Sequence, residues 1–206
     1  MKMSNYIQCN IRIRGGKLKA DGTRLPRCIW ASGNSDIYRE YHDNEWGVPV
    51  FDDAKLFEML VLESFQAGLS WLIILKKREA FRAAFANFDP LQVVSFDDSK
   101  VQELLGNVGI VRNKAKIIAT INNAKLFLAV QQEFGTYADY LWGFTDHKVI
   151  KNRDDCLPTK TALSDQIAKD MKKRGAKFFG SVIVYSYLQA VGVVNDHELG
   201  CYRYNA

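Results

Sequence analysis

Glu63 is the acidic residue hardest to place on a solvated surface. It follows Leu56 by seven residues, Met59 by four and Leu60 by three, so a helical period puts it on an apolar stripe. An ionised carboxylate facing inward costs about 3 kcal/mol or more unless it is paired. Two readings stay open: a structural salt bridge, or a carboxylate held to meet a polar or cationic ligand. Trp30, Tyr38, Tyr41, Trp46 and Trp71 crowd the nearby sequence. A carboxylate walled by ring faces suits a flat cation, each face adding ~0.5–2 kcal/mol. Taken singly, each of these rings is ordinary core.

A second constellation is built from cysteine and histidine. Cys28 precedes His42 by fourteen residues, and His197 precedes Cys201 by four. The second pair has helix or turn spacing for a shared metal. Two Cys and two His would make a closed tetrahedral zinc site, structural and not catalytic, tying the start of the body to its end. Each histidine taken alone is equally well read as a hydrogen-bonded core residue. Cys9 and Cys156 complete four widely spread cysteines, which suit free thiols or metal ligands better than disulfides. His147 sits in a polar stretch and receives no role.

A third feature is the run LLGNVGIV at 104–111, followed by KAKII at 114–118. It reads as a short helix, a glycine turn and a second helix that begins with polar and basic residues. Glycine permits close backbone approach, and the N-terminus of the second helix offers unpaired N–H groups to a phosphate oxygen. Arg112, Lys114 and Lys116 would surround that point, with Gly109 in the turn. Such contacts hold DNA without reading its sequence. An ordinary αα-hairpin has the same pattern.

These residues need elements to position them, and the patterning predicts mostly helices. Asp52 or Asp53 caps a helix over 52–67, apolar on most sides and therefore buried. A second runs over 70–87 and stops at Asp89-Pro90. Asp97-Asp98 caps a short helix over 99–105, and a long one follows over 112–130. Residues 136–144 form a short aromatic helix, and 145–161 a polar loop. A helix capped by Ser164 or Asp165 ends with Gly175 in the C′ position after three cations. Residues 178–193 make a central helix, although Val182-Ile183-Val184 leaves a strand open for part of it. The expectation is all-α.

The chain has 206 residues, 48% hydrophobic and 25% charged, enough to bury a core without staples. No apolar run reaches ~18 residues and the N-terminus carries no secretory pattern, which favours the cytoplasm and no membrane association. The net charge of +5 is uneven: residues 1–27 carry +6 and the remainder −1. A basic irregular arm (1–27), able to add phosphate contacts, thus precedes a nearly neutral body (28–206).

Several blocks together resemble the type I DNA-3-methyladenine glycosylases, a family of helix-hairpin-helix DNA glycosylases. They are RCIW at 27–30, YHDNEWGVP at 41–49, LESFQAGLSW at 62–71 with LKKRE at 75–79, GIVRNKAKI at 109–117, KKRG at 172–175, QAVG at 189–192, VNDH at 194–197, and Cys201. The resemblance covers about residues 27–202. It implies an all-α helix-hairpin-helix fold, with the hairpin unit at about 98–130. It implies hydrolysis of the N-glycosidic bond of N3-methyladenine in alkylated double-stranded DNA, releasing 3-methyladenine. The family's zinc ligands fall on Cys28, His42, His197 and Cys201. Its base-pocket residues fall on Glu63, Tyr41 and Trp71, with Trp46 and Trp30 as further neighbours. Its gap-entering loop falls on Gly68 and Leu69. No catalytic Asp stands in the stretch 120–124, as in type I members, and a monofunctional, monomeric enzyme without strand cleavage is expected. Ser64 stands where the family usually has Gly, on the expected pocket wall, and Ala176 where an aromatic is common. A zinc hydrolase using Glu63 as base would need an open metal position, which four protein ligands close. A purely DNA-binding module would leave Glu63 without a ligand.

Overall fold

The computed structural model describes residues 16–18, 24–33, 35–152 and 157–205. Cys9, Cys156 and the arm's charges before residue 16 lie outside them. Helices carry almost all of the regular structure. After a short ribbon of β1 (Gly16–Leu18) and β2 (Arg24–Pro26) comes α1 (Asp36–Asn44), then α2 (Asp53–Gln66) and α3 (Trp71–Ala84). A short α4 (Pro90–Val93) leads to α5 (Asp98–Gly106), α6 (Lys114–Phe134) and α7 (Tyr137–Gly143). Then follow β3 (Ile150–Lys151), α8 (Ala162–Lys173), α9 (Ser181–Ala190) and β4 (Val194–Asn195).

Helix α2 is the axis of the molecule. Every residue from Leu56 to Phe65 is buried, because α3, α6, α7 and α9 pack around it. Asp52 caps its start, accepting from the amides of Ala54 and Lys55. The next residue, Asp53, reaches across to α7 and accepts from the amides of Tyr137 and Ala138. One aspartate pair therefore starts two helices. A part-buried ion-pair network fastens the end of α1 to α2 and α3: Glu58 accepts from Arg78, Arg82 and Lys55, and Glu45 from Arg78 and Lys55.

Five expectations need correction. The arm is not irregular throughout, since β1 and β2 pair antiparallel, with Lys17 opposite Leu25. Arg27 belongs to the body: its guanidinium grips Asp43 through two 2.7 Å bonds. The segment 145–161 is not all loop, because β3 pairs in parallel with β4, Ile150 opposite Val194. The fold is thus predominantly helical, not strictly all-α. Helix α8 starts earlier than expected, capped by Thr161 in a reciprocal box with Ser164.

Its end does match: the amides of Gly175 and Ala176 bond the carbonyls of Lys172 and Met171, with Gly175 in the left-handed conformation. Helix α9 is shorter than 178–193, and its β-branched run is helical because it packs on α2 and α8. Helix α1 has a polar pattern with apolar residues on one narrow face and was not anticipated. No helix among the described residues is long and apolar enough to cross a membrane.

Candidate active site and metal centre

Glu63 lies near the end of α2 and is only 3% exposed. Among the described residues it forms no salt bridge, and its Oε2 is buried without a hydrogen-bond partner. Burial alone pushes its carboxyl up to about 8. The indole Nε1 of Trp71, at the start of α3, is likewise buried without an acceptor among the described residues. Tyr41 links the two. Its ring centroid is 5.4 Å from that of Trp71. Its phenol is held un-ionised, first by burial and then by the nearby charge of Glu63. Two buried polar groups without partners, both neighbours of the Tyr41 ring, mark a site suited to a polar ligand.

The structure divides the expected pocket aromatics. Tyr41 and Trp71 belong with Glu63. Trp46 instead packs edge-on to His197 at 4.6 Å, and Trp30 lies 5.3 Å from His42 and 5.1 Å from Trp46. Trp30 also reaches Tyr41 at 6.4 Å, so it bridges the carboxylate pocket and the Cys/His cluster. Ser64, suspected of reshaping the pocket wall, turns away: its hydroxyl donates to the Leu60 carbonyl at 2.8 Å.

Cys28, His42, His197 and Cys201 do come together, all buried, with their donor atoms within 4.8 Å of one another. His197 Nδ1 is 3.4 Å from Cys28 Sγ and 3.6 Å from Cys201 Sγ, and His42 Nε2 is 3.3 Å from Cys201 Sγ. A zinc tetrahedron with ordinary bond lengths has sulfur-to-nitrogen edges of about 3.5 Å. The outer ring nitrogens are served as well. His42 Nδ1 meets Asp43 at 2.9 Å, and His197 Nε2 meets the Trp46 carbonyl at 3.0 Å. Those acceptors fix the tautomers that leave the inner nitrogens free to ligate. The donor set therefore fits a closed zinc site. Asp43 escaped the sequence reading, although a carboxylate beside a ligating histidine is a signal in its own right.

The turn between α2 and α3 carries Gly68, exposed and left-handed at φ 81°, and half-buried Leu69. The connection between α5 and α6 carries the other expected DNA contacts. Arg112 and Lys114 are exposed there, and Asn113 caps α6 by accepting from the Lys116 amide. Two expectations change. The Gly109 amide is occupied by the Asn107 side chain at 2.8 Å, and a Cβ at Gly109 would stand 2.9 Å from the Ala80 Cβ of α3. Its glycine is explained by packing. Lys116 does not surround the helix start. It is 7% exposed and points inward, donating to the carbonyls of Phe65 and Ala67 at 2.7 and 2.6 Å.

Residues 30–204 match the family model described as methyladenine glycosylase. The chain is 46% identical over 183 residues to DNA-3-methyladenine glycosylase 1 of Escherichia coli (strain K12), covering 87% of this chain and 97% of that one. It is 43% identical over 178 residues to a DNA-3-methyladenine glycosylase of Haemophilus influenzae, covering 85% and 96%. Among solved structures, a crystal structure of 3-methyladenine DNA glycosylase I superposes with a TM-score of 0.82 at 48% identity, over 85% of this chain and 98% of that one. The Staphylococcus aureus 3-methyladenine DNA glycosylase I, solved to explain 3-methyladenine recognition, gives 0.82 at 35% identity, over 85% and 95%. With its carboxylate, rings and Cys/His cluster assembled as above, the chain belongs to the methyladenine glycosylase family.

Proposed function

We propose that this protein excises N3-methyladenine from alkylated double-stranded DNA, leaving an abasic site and free 3-methyladenine. The observation that carries the proposal is the buried Glu63 carboxylate near Tyr41, whose Oε2 has no hydrogen-bond partner among the described residues. Methylation at N3 puts positive charge on the purine and weakens its bond to the sugar. The extruded base would stack against the rings while Glu63 meets its charge. As the glycosidic bond breaks, its electron pair passes to the purine and neutralises it. Water adds a hydroxyl to the sugar carbon and gives its remaining proton to solvent. A good leaving group needs no covalent amine, so the enzyme is monofunctional, without lyase activity. A normal purine lacks the charge that Glu63 answers.

The α5–α6 unit at about 98–130 serves as the helix-hairpin-helix of this fold. Arg112, Lys114 and the first amides of α6 take phosphates, and Gly68-Leu69 enters the gap left by the base. Zinc, one ion per chain, is held by Cys28, His42, His197 and Cys201. Four protein ligands leave it no open position, so it fixes structure and takes no part in bond breaking. All four ligands come from one chain, which suits a monomer. Cysteines that ligate a metal rather than pair as disulfides, together with a DNA substrate, suit the cytoplasm.

The test is chromatographic assay of bases released from methylated duplex. 3-Methyladenine should appear with the wild type and fall at least about a hundredfold with Glu63→Gln or Trp71→Ala. Equal release by wild type and Glu63→Ala would overturn the pocket. Metal analysis should find about one zinc per chain.

A further inference from the structure

The two loops assigned to DNA are tied to each other by a reciprocal pair of lysines. Lys116, on the first turn of α6, donates to the carbonyls of Phe65 and Ala67 at the end of α2, immediately before Gly68. Lys77, on α3 just beyond the same turn, donates back to the carbonyls of Val108 and Gly109 in the hairpin, at 2.8 and 3.1 Å. Each unit thus sends one ammonium into the backbone of the other. The contact of Gly109 with Ala80 closes the space between them.

Lys116 is a costly choice for a packing residue. Its ammonium is buried without an ion pair among the described residues. Burial draws its pKa below the ordinary lysine value. An apolar side chain of similar length would avoid that cost. What the ammonium supplies is direction: two charge-assisted bonds to the negative end of α2, which fix where that helix stops.

We propose that Lys116 and Lys77 are positioning residues that hold the backbone-gripping hairpin in register with the gap-entering turn at Gly68-Leu69. The proposal rests on the assignment of those two loops to DNA made above. A turn fixed relative to the phosphate grip arrives at the base stack without a search for its place.

Fluorescence anisotropy on two duplexes tests this, one intact and one carrying a tetrahydrofuran abasic analogue, each titrated at several salt concentrations. The proteins are wild type, Lys116→Met, Lys77→Met and the double variant. The wild type should prefer the abasic duplex by about tenfold or more, because an abasic site spares it the cost of unstacking a base. Each single variant should lose most of that preference, with intact-duplex affinity held within about twofold and the salt slope unchanged. The double variant should lose no more than the worse single one, since the two ties serve one alignment.

Preference retained in both single variants overturns the brace. So does equal weakening on both duplexes with a shallower salt slope, which would make the lysines phosphate contacts. If Lys116→Met does not fold, half-buried Lys77 decides alone. A wild type without preference overturns the gap-entering assignment itself, and is distinguishable because no variant is then needed.

Discussion

His42 Nδ1 and Asp43 Oδ1 lie 2.9 Å apart, and the same carboxylate takes both prongs of the Arg27 guanidinium. Two neighbours in sequence thus join the metal cluster to the first residues of the body. Against its burial, the hydrogen bonds from Arg27 and His42 hold the Asp43 carboxyl well below the usual carboxylate range. It is therefore a full negative charge behind the imidazole, which raises the basicity of the ligating nitrogen.

Replacing that carboxylate should loosen the metal without removing a ligand. Asp43→Ala should lower zinc affinity about 10–100-fold, as loss of a partner behind a ligating histidine does. Competition with a chromogenic chelator measures it. A variant that holds zinc as tightly as the wild type would show that Arg27 and Asp43 are only a surface tie.

Glu63 gives a pH signature with a definite sign. Its folded value of about 8 lies above the ordinary 4.5. Between those values the unfolded chain has given up a proton that the folded protein keeps. Stability therefore falls as pH rises through the window and levels off above about 8. Glu63→Gln lacks the group, so its stability relative to the wild type should climb between pH 5 and pH 8, by on the order of 3–5 kcal/mol. Urea unfolding at the two pH values reads this directly, and an equal difference at both would contradict it. A cationic base favours the ionised carboxylate, so kcat/KM for excision should rise toward pH 8 in the wild type. Whatever residual rate Glu63→Gln retains should lack that rise.

Much of this was written in the helical period. The stripe through Leu56, Met59 and Leu60 points Glu63 inward, and the structure keeps it there without a salt bridge among the described residues. The Cys/His spacings were suggestive only. Cys28 and Cys201 meet because the segment between β2 and α1 lies against the chain after β4, where the Tyr202 amide donates to the Pro26 carbonyl, a long-range fact that no local pattern carries. The resemblance, and no local pattern, separates Tyr41 and Trp71 from Trp46 and Trp30, because periodicity does not distinguish a ring on a pocket wall from a ring in the core. Lys116 was misjudged for a physical reason. A lysine at a helix start usually stands in water, and only the carbonyls at the end of α2 reward turning it inward. The strand pairs β1–β2 and β3–β4 are too short for alternation to reveal.

Ser64 provides a check on the pocket wall. Its hydroxyl is satisfied within α2 by the Leu60 carbonyl. Ser64→Ala should therefore leave the ratio of excision between N3-methyladenine and other methylated purines unchanged, and shift stability by about 1 kcal/mol or less. A changed substrate ratio in competition assays would mean that the hydroxyl rotates into the site when the base arrives.

Gly109 separates packing from phosphate binding at the hairpin. An added methyl would sit 2.9 Å from both the Ala80 Cβ and the Asn107 Oδ1. Neither can retreat easily, because Ala80 is fixed on α3 and Asn107 is engaged with the Gly109 amide. Gly109→Ala should destabilise the fold by about 1–3 kcal/mol, the usual cost of overpacking. Because the hairpin would be pushed off α3, the Lys77 contacts would lengthen with it, and excision should fall further than stability alone explains at a temperature where the variant is fully folded. Ala80→Gly in the same chain removes the opposing methyl and should restore part of both losses. Thermal melts and single-turnover excision on the four proteins of that cycle measure the coupling. If Ala80→Gly recovers neither stability nor rate, the clash with α3 is not what makes glycine necessary at this position.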